Sequence, residues 1–180
     1  MALFADYEPE RHGGPALDGL RTRVAAEGDV EALAALRVAR GDATPDEARL
    51  SFQHLLGRAR RDGALVLVAE HRGCVVGYGA ANPLGPPLPD GWYLGGVIVS
   101  ESMRRRGVGT RLTRERLDWI ATRAAEAFYF VNERNRSSID LHARFGFREI
   151  SRDIRVPGVT FTGGVGLLFR ADLSKPEAKP

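Results

Sequence analysis

The chain has 180 residues, 43% of them hydrophobic and 27% charged, which suits one globular domain with a real core and is too short for two ordinary ones. Its net charge of +3, from 26 basic and 23 acidic residues, is a mild excess that does not imply nucleic acid. The single cysteine, Cys74, excludes an intramolecular disulfide and reads as a small core residue in a buried strand.

Residues 1–21 carry glycine and proline without periodicity and read as a flexible arm. Asp6, Glu8 and Glu10, with no long apolar run beside them, do not make a secretory signal. Residues 22–173 form the domain, and 174–180 are a polar tail. The first strand is expected at 22–25. A helix follows at 29–40, with Ala32, Leu33, Leu36 and Val38 apolar and Gly41 ending it. Thr44-Pro45-Asp46-Glu47 opens a second helix, reaching about 61, with a capping hydroxyl, proline in the first turn and acids at its start.

Strands at 65–71 and 74–81 flank Arg72-Gly73, a tight hairpin turn. The longest apolar stretch, at 64–69, is strand-sized and far short of a membrane span, so a soluble cytoplasmic protein without membrane contact is expected. A proline-rich loop at 83–89 leads to a strand at 92–99, and a helix follows Gly107. On that helix Leu112, Thr113, Leu117, Ile120 and Ala124 share one stripe, with the arginines on the other face. A buried strand at 128–131, a short helix at 136–145 and strands at 147–152 and 166–171 complete the chain. This order predicts an α/β domain, a mixed sheet with helices on both faces.

Two motifs carry chemistry. Arg104-Arg105-Arg106-Gly107-Val108-Gly109 stands where an apolar strand stops and a helix opens. Unpaired backbone N–H groups there, with the helix dipole, suit a pyrophosphate. The pattern is [Arg/Gln]-x-x-Gly-x-[Gly/Ala]. Gly95-Gly96, costly in mid-strand, marks a bulge that would part this strand from a neighbour. Downstream lies Asn135-Arg136-Ser137-Ser138-Ile139-Asp140-Leu141-His142-Ala143-Arg144-Phe145-Gly146-Phe147.

With both motifs in order, the chain resembles the GNAT superfamily of acetyl-CoA-dependent N-acetyltransferases from about 22 to 173, most strongly from 93 to 147. Leu141-His142 and Gly163-Gly164 are most similar to the branch that acetylates phosphinothricin-like and other small amino compounds. The resemblance implies a mostly antiparallel GNAT sheet splayed between the strands at 92–99 and 128–131. It implies acetyl-CoA as co-substrate, no metal, and a small-molecule amine as acceptor; a homodimer is possible. Val97, Ile98 and Val99 would bind the pantetheine arm as a strand edge. The amides from Arg105 through Arg106, Gly107, Val108 and Gly109 to Thr110 would cradle the pyrophosphate, with Arg104 nearby. Asn135 would contact the pantetheine arm or simply cap its helix.

Ser138 and His142 lie one helical turn apart, facing the expected thiol. Many members of the family carry a tyrosine at the place of His142 that protonates the departing thiolate, and an imidazole with a pKa near ~6.5 is chemically able to do so. An alkylamine with a pKa near ~10 is neutral only about one part in a thousand at pH 7, so a base or desolvation is required. The glutamate base of some members corresponds to Tyr93 here. That leaves Glu70, Glu101, Glu133 or a water relay. Asp42, Asp46 and Glu47 would attract a cationic amine. Peptide acetylation, a non-catalytic acyl-CoA sensor and nucleic-acid binding by the arginine-rich helix are the competing readings.

Overall fold

Short alternating strands and capped helices build one layered body, for which the computed structural model describes residues 14–41 and 43–174. The strands are β1 (Arg21–Val24), β2 (Leu65–His71), β3 (Cys74–Leu84), β4 (Gly91–Val99), β5 (Glu126–Asn132), β6 (Arg148–Arg152) and β7 (Gly166–Asp172). The helices are α1 (Val30–Arg40), α2 (Pro45–Asp62), α3 (Val108–Ala121) and α4 (Arg136–Ala143). Caps explain the helix limits. Gly41 closes α1 in the left-handed region, its N–H bonded to the Val38 carbonyl at 2.8 Å. Thr44 and Glu47 form a reciprocal capping box at the start of α2.

The seven strands run in the order β1-β2-β3-β4-β5-β7-β6. Every pairing is antiparallel except β4 with β5, which are parallel and meet in register at Tyr93 and Phe128. Beyond that point the two strands part. The cause lies on β4, where Val97 pairs with Gly79 and Leu94 with Ala81, leaving one extra residue around Gly95-Gly96. A bulge of this kind bends its strand and raises its twist. The expected splay and its glycine cause are both present.

Period-two alternation sends β2 side chains to opposite faces. Leu67 and Ala69 join Leu112, Leu117 and Ile120 of α3 on one face, while Val66 and Val68 meet Leu33, Phe52 and Leu56 of α1 and α2 on the other. A third cluster, Leu88, Tyr93, Phe128 and Leu168, closes the end of the sheet where β4 and β5 touch.

Three details differ from the sequence reading. β3 continues to Leu84, because Asn82, Pro83 and Leu84 still pair with Tyr93, Trp92 and Gly91. Cys74 is exposed, since it sits beside the hairpin turn at the very start of its strand. Leu17, assigned to the arm, is buried in the α3-side core. The arm's residues 1–13, Asp42 and tail residues 175–180 lie outside the described residues. Among the described residues, no helix is long and apolar enough to cross a membrane.

Candidate active site

The loop between β4 and α3 turns through two left-handed residues, Arg105 at φ 60° and Gly107 at φ 84°. Gly107 is the N-cap of α3, and no side chain caps the helix. Among the described residues, the first-turn N–H groups of Val108, Gly109 and Thr110 therefore have no side-chain cap, which is the arrangement an anion can satisfy. Gly109 sits where a Cβ would lie 3.6 Å from Leu141 and 3.8 Å from Val97, so β4, α3 and α4 converge at this turn. The donor set fits a CoA pyrophosphate.

The arginines divide differently from the sequence expectation. Arg105 is exposed at the turn. Arg104 folds back so that its Nε donates to the Val99 carbonyl at 3.4 Å, and Arg106 donates to the Pro15 carbonyl at 3.3 Å. Val97 and Val99 are half-buried, Ile98 is buried, and their strand has no register partner on the β5 side after Tyr93. This is the free edge that an extended pantetheine arm would need.

Asn135 caps α4, its Oδ1 accepting from the Ser138 N–H at 3.2 Å. One turn on, His142 is only 5% exposed and stacks on Tyr129. Its Nδ1 lies 2.8 Å from the Ser138 carbonyl. A carbonyl can only accept, so Nδ1 carries the proton and Nε2 is left with its lone pair. Burial lowers the imidazole pKa to about 4, against a smaller upward pull from the Ser138 carbonyl. His142 is thus neutral at pH 7 with its one N–H already spent. The acid role expected for it is not met by this geometry, because its buried ring packs on Tyr129 of β5.

Tyr93 stands at the place of the glutamate base of some members. It is 1% exposed, stacks on Phe128 and donates its hydroxyl to the Pro89 carbonyl at 2.8 Å. Burial, helped by the charge of Asp90, pushes its pKa up to about 12, so it cannot serve as a base near neutrality. Of the three glutamates, Glu70 pairs with Arg23 at 2.7 Å. Glu133 accepts from Arg152 and from the Val165 N–H. Glu101 is exposed on the turn after β4. Asp46 pairs with Arg49, and Glu47 is used by the capping box.

The sequence reading missed Arg116. It lies on the α3 stripe expected to be apolar and is fully buried. Its Nη1 donates to the Ala80 carbonyl at 2.9 Å and the Gly95 carbonyl at 2.7 Å. Nε donates to the Leu112 carbonyl and Nη2 to the Thr113 hydroxyl. None of these partners is a carboxylate. Burial lowers its pKa to about 9, which leaves it cationic at pH 7. Its position between Leu112, Thr113, Leu117 and Ile120 was the one available signal.

The model of the acetyltransferase (GNAT) family matches residues 31–147, which span both motifs and the splayed strands. The chain belongs to this family. It is an acyltransferase of GNAT fold. Among solved structures it is similar to the ribosomal-protein-alanine N-acetyltransferase of Brucella melitensis, with 28% identity, a TM-score of 0.69, and 84% of this chain and 99% of that chain covered. It is also similar to yncA of Salmonella typhimurium, a proposed acetyltransferase with its cofactor acetyl-CoA, at 20% identity, TM-score 0.67 and coverage of 89% and 98%. A proposed phosphinothricin N-acetyltransferase matches at 20% identity, TM-score 0.64 and coverage of 87% and 100%. No curated protein matches. GNAT enzymes share acetyl transfer to an amine and differ in the acceptor, so family membership leaves acceptor choice to the surfaces outside both motifs.

Proposed function

We propose that the protein transfers the acetyl group of acetyl-CoA to a primary amine of a small molecule by direct attack, releasing CoA. The observation that carries this reading is the parting of β4 from β5 after Tyr93 and Phe128, beside an α3 N-terminus without a side-chain cap. A thioester laid along the β4 edge would have its pyrophosphate at the amides of Val108, Gly109 and Thr110, flanked by Arg104, Arg105 and Arg106. Its pantetheine arm would run along Val97, Ile98 and Val99, with Asn135 and Ser138 on the α4 side.

On the opposite face, a cavity of about 660 Å³ between α1, α2 and β4 has Gly96 in its wall. That size suits a small molecule. Arg37, Arg40 and Arg58 line it together with Glu47, so a cationic group on the acceptor gains less there than the acids of the α2 start suggest in sequence. The amine nitrogen attacks the thioester carbon, the carbon–sulfur bond breaks, and the proton lost by the amine ends on the thiolate. With His142 neutral and Tyr93 buried, water carries that proton, and the amine is deprotonated without a dedicated side-chain base.

Thiol release from acetyl-CoA, screened against amines, amino acids, aminoglycosides and alanine-terminated peptides, tests this reading. Turnover with a small amine and none with peptides is expected. Turnover with peptides alone would assign the acceptor to protein N-termini, and no release with any amine would favour an acyl-CoA sensor.

A further inference from the structure

Arg116 lies about two turns along α3 from Val108, which puts its place on the helix ~12 Å from the turn that offers its amides to a pyrophosphate. It is fully buried. Two of its bonds go back to α3 itself, from Nε to the Leu112 carbonyl and from Nη2 to the Thr113 hydroxyl. The other two go to the sheet, where Nη1 joins the Ala80 carbonyl of β3 to the Gly95 carbonyl of β4. Both of those residues fall in the gap of the β3–β4 register, between Gly79 with Val97 and Ala81 with Leu94. One side chain thus ties the pyrophosphate helix to the bulge after which β4 leaves β5.

Stability alone does not account for it. A buried cation among neutral oxygens is unfavourable, and an apolar side chain would complete the α3 stripe with less desolvation. The contacts of Leu112, Leu117 and Ile120 already hold α3 to the sheet, but apolar packing has no direction. A planar fork of fixed donors adds direction, and so sets where along β4 the helix stands. The sheet leaves space for the fork at Gly79, where a Cβ would lie 2.9 Å from both Cζ and Nε of Arg116.

We propose that Arg116 is a positioning residue for acyl-CoA, a brace that fixes the spacing between the pyrophosphate turn of α3 and the Val97–Val99 edge of β4. Nucleotide and pantetheine arm are parts of one covalent ligand. The second contact adds affinity only when the spacing of the two sites matches the ligand's own span. This role rests on acetyl-CoA lying along the β4 edge, as in the proposed function, and is independent of which amine accepts.

The test compares, by calorimetry, acetyl-CoA with adenosine 3′-phosphate 5′-diphosphate, the nucleotide half of CoA that ends at the pyrophosphate. Wild-type protein should bind acetyl-CoA more tightly than the half-ligand, through the pantetheine arm. In R116M acetyl-CoA should bind about tenfold or more weakly, while the half-ligand stays within about threefold of wild type. A general loss of structure would weaken both alike. R116K keeps the charge but not the fork, and should recover only part of the difference. G79A keeps the arginine but crowds its guanidinium, so it should show the same selective loss and stands in should R116M not fold. A folded R116M or G79A that retains the wild-type difference overturns the proposal, as does an equal loss for both ligands. A wild-type protein that gains nothing from the pantetheine arm overturns it together with the placing of acetyl-CoA on β4. Because neither titration needs an acceptor, the selective loss in a protein that acetylates no amine supports the brace and overturns the acceptor reading alone.

Discussion

The imidazole of His142 lies nearly parallel to the phenol ring of Tyr129, with 4.1 Å between centroids and 18° between planes. Phe147 meets both rings edge-on, and Phe169 stacks on the far side of Tyr129. Through this stack α4 is fixed to β5, and the helix that carries Asn135 and Ser138 is held at its distance from the β4 edge. The histidine serves here as a flat, neutral aromatic whose Nδ1–H ties it to its own helix.

That state makes stability depend on pH. Unfolded His142 titrates near ~6.5, whereas burial lowers the folded value to about 4. Between these values the unfolded chain binds the extra proton. The contribution is therefore complete above pH ~6.5 and is lost as pH falls toward 4, by of the order of 3 kcal/mol. His142→Phe should flatten this part of the curve in urea unfolding compared at pH 7 and pH 4.5. It should also keep turnover within about tenfold, whereas loss of a general acid typically costs ~10²–10⁴-fold. A drop of that larger size at unchanged acetyl-CoA affinity would restore the acid role.

The Tyr129 hydroxyl is buried and has no hydrogen-bond partner among the described residues. A buried hydroxyl without a partner costs about 1–3 kcal/mol, so Tyr129→Phe should raise stability by roughly 1 kcal/mol while keeping the ring stack. Thermal unfolding decides it. A lower melting temperature would mean that the hydroxyl is satisfied in solution.

Much of this architecture is legible in the sequence because it depends on local chemistry. Thr44-Pro45-Asp46-Glu47 announces a helix start, Arg72-Gly73 a hairpin, and Gly95-Gly96 a bulge, each through conformational preferences that neighbours three or four residues away decide. Arg116 was not legible because its partners come from β3 and β4, 36 and 21 residues distant, and charge patterning puts an arginine outside. The surroundings of Tyr93 were not legible for a similar reason. Its alignment with a glutamate base says nothing of the stack on Phe128, a strand away. Cys74 failed on a boundary, because one position decides between a buried strand and an exposed turn.

Gly107 and Gly109 should respond differently to the same substitution. Gly107 holds φ 84°, where an L residue is strained by roughly 1–2 kcal/mol, and relief of that strain would turn the α3 amides away. Gly107→Ala should weaken acetyl-CoA binding at least tenfold by calorimetry. At Gly109 a methyl meets Leu141 and Val97 only at ordinary contact distance, so Gly109→Ala should bind within about threefold of wild type. Equal losses at the two positions would show that space for the pyrophosphate, rather than backbone conformation, governs the loop.

Tyr93→Phe separates a structural phenol from a catalytic one. The variant removes the bond to the Pro89 carbonyl and keeps the ring against Phe128, so stability should fall by about 1 kcal/mol. Because the wild-type pKa is pushed up to about 12, the phenol stays protonated across the working range and adds no limb to a pH–rate profile. The rate should rise toward the amine's own pKa in both proteins, with turnover in the variant within a fewfold of wild type. A limb that disappears in the variant, or a turnover loss beyond tenfold with acetyl-CoA binding intact, would place the Tyr93 hydroxyl in the proton path. The water relay from amine to thiolate would then have to run through the β4–β5 junction rather than through the open side of the cleft.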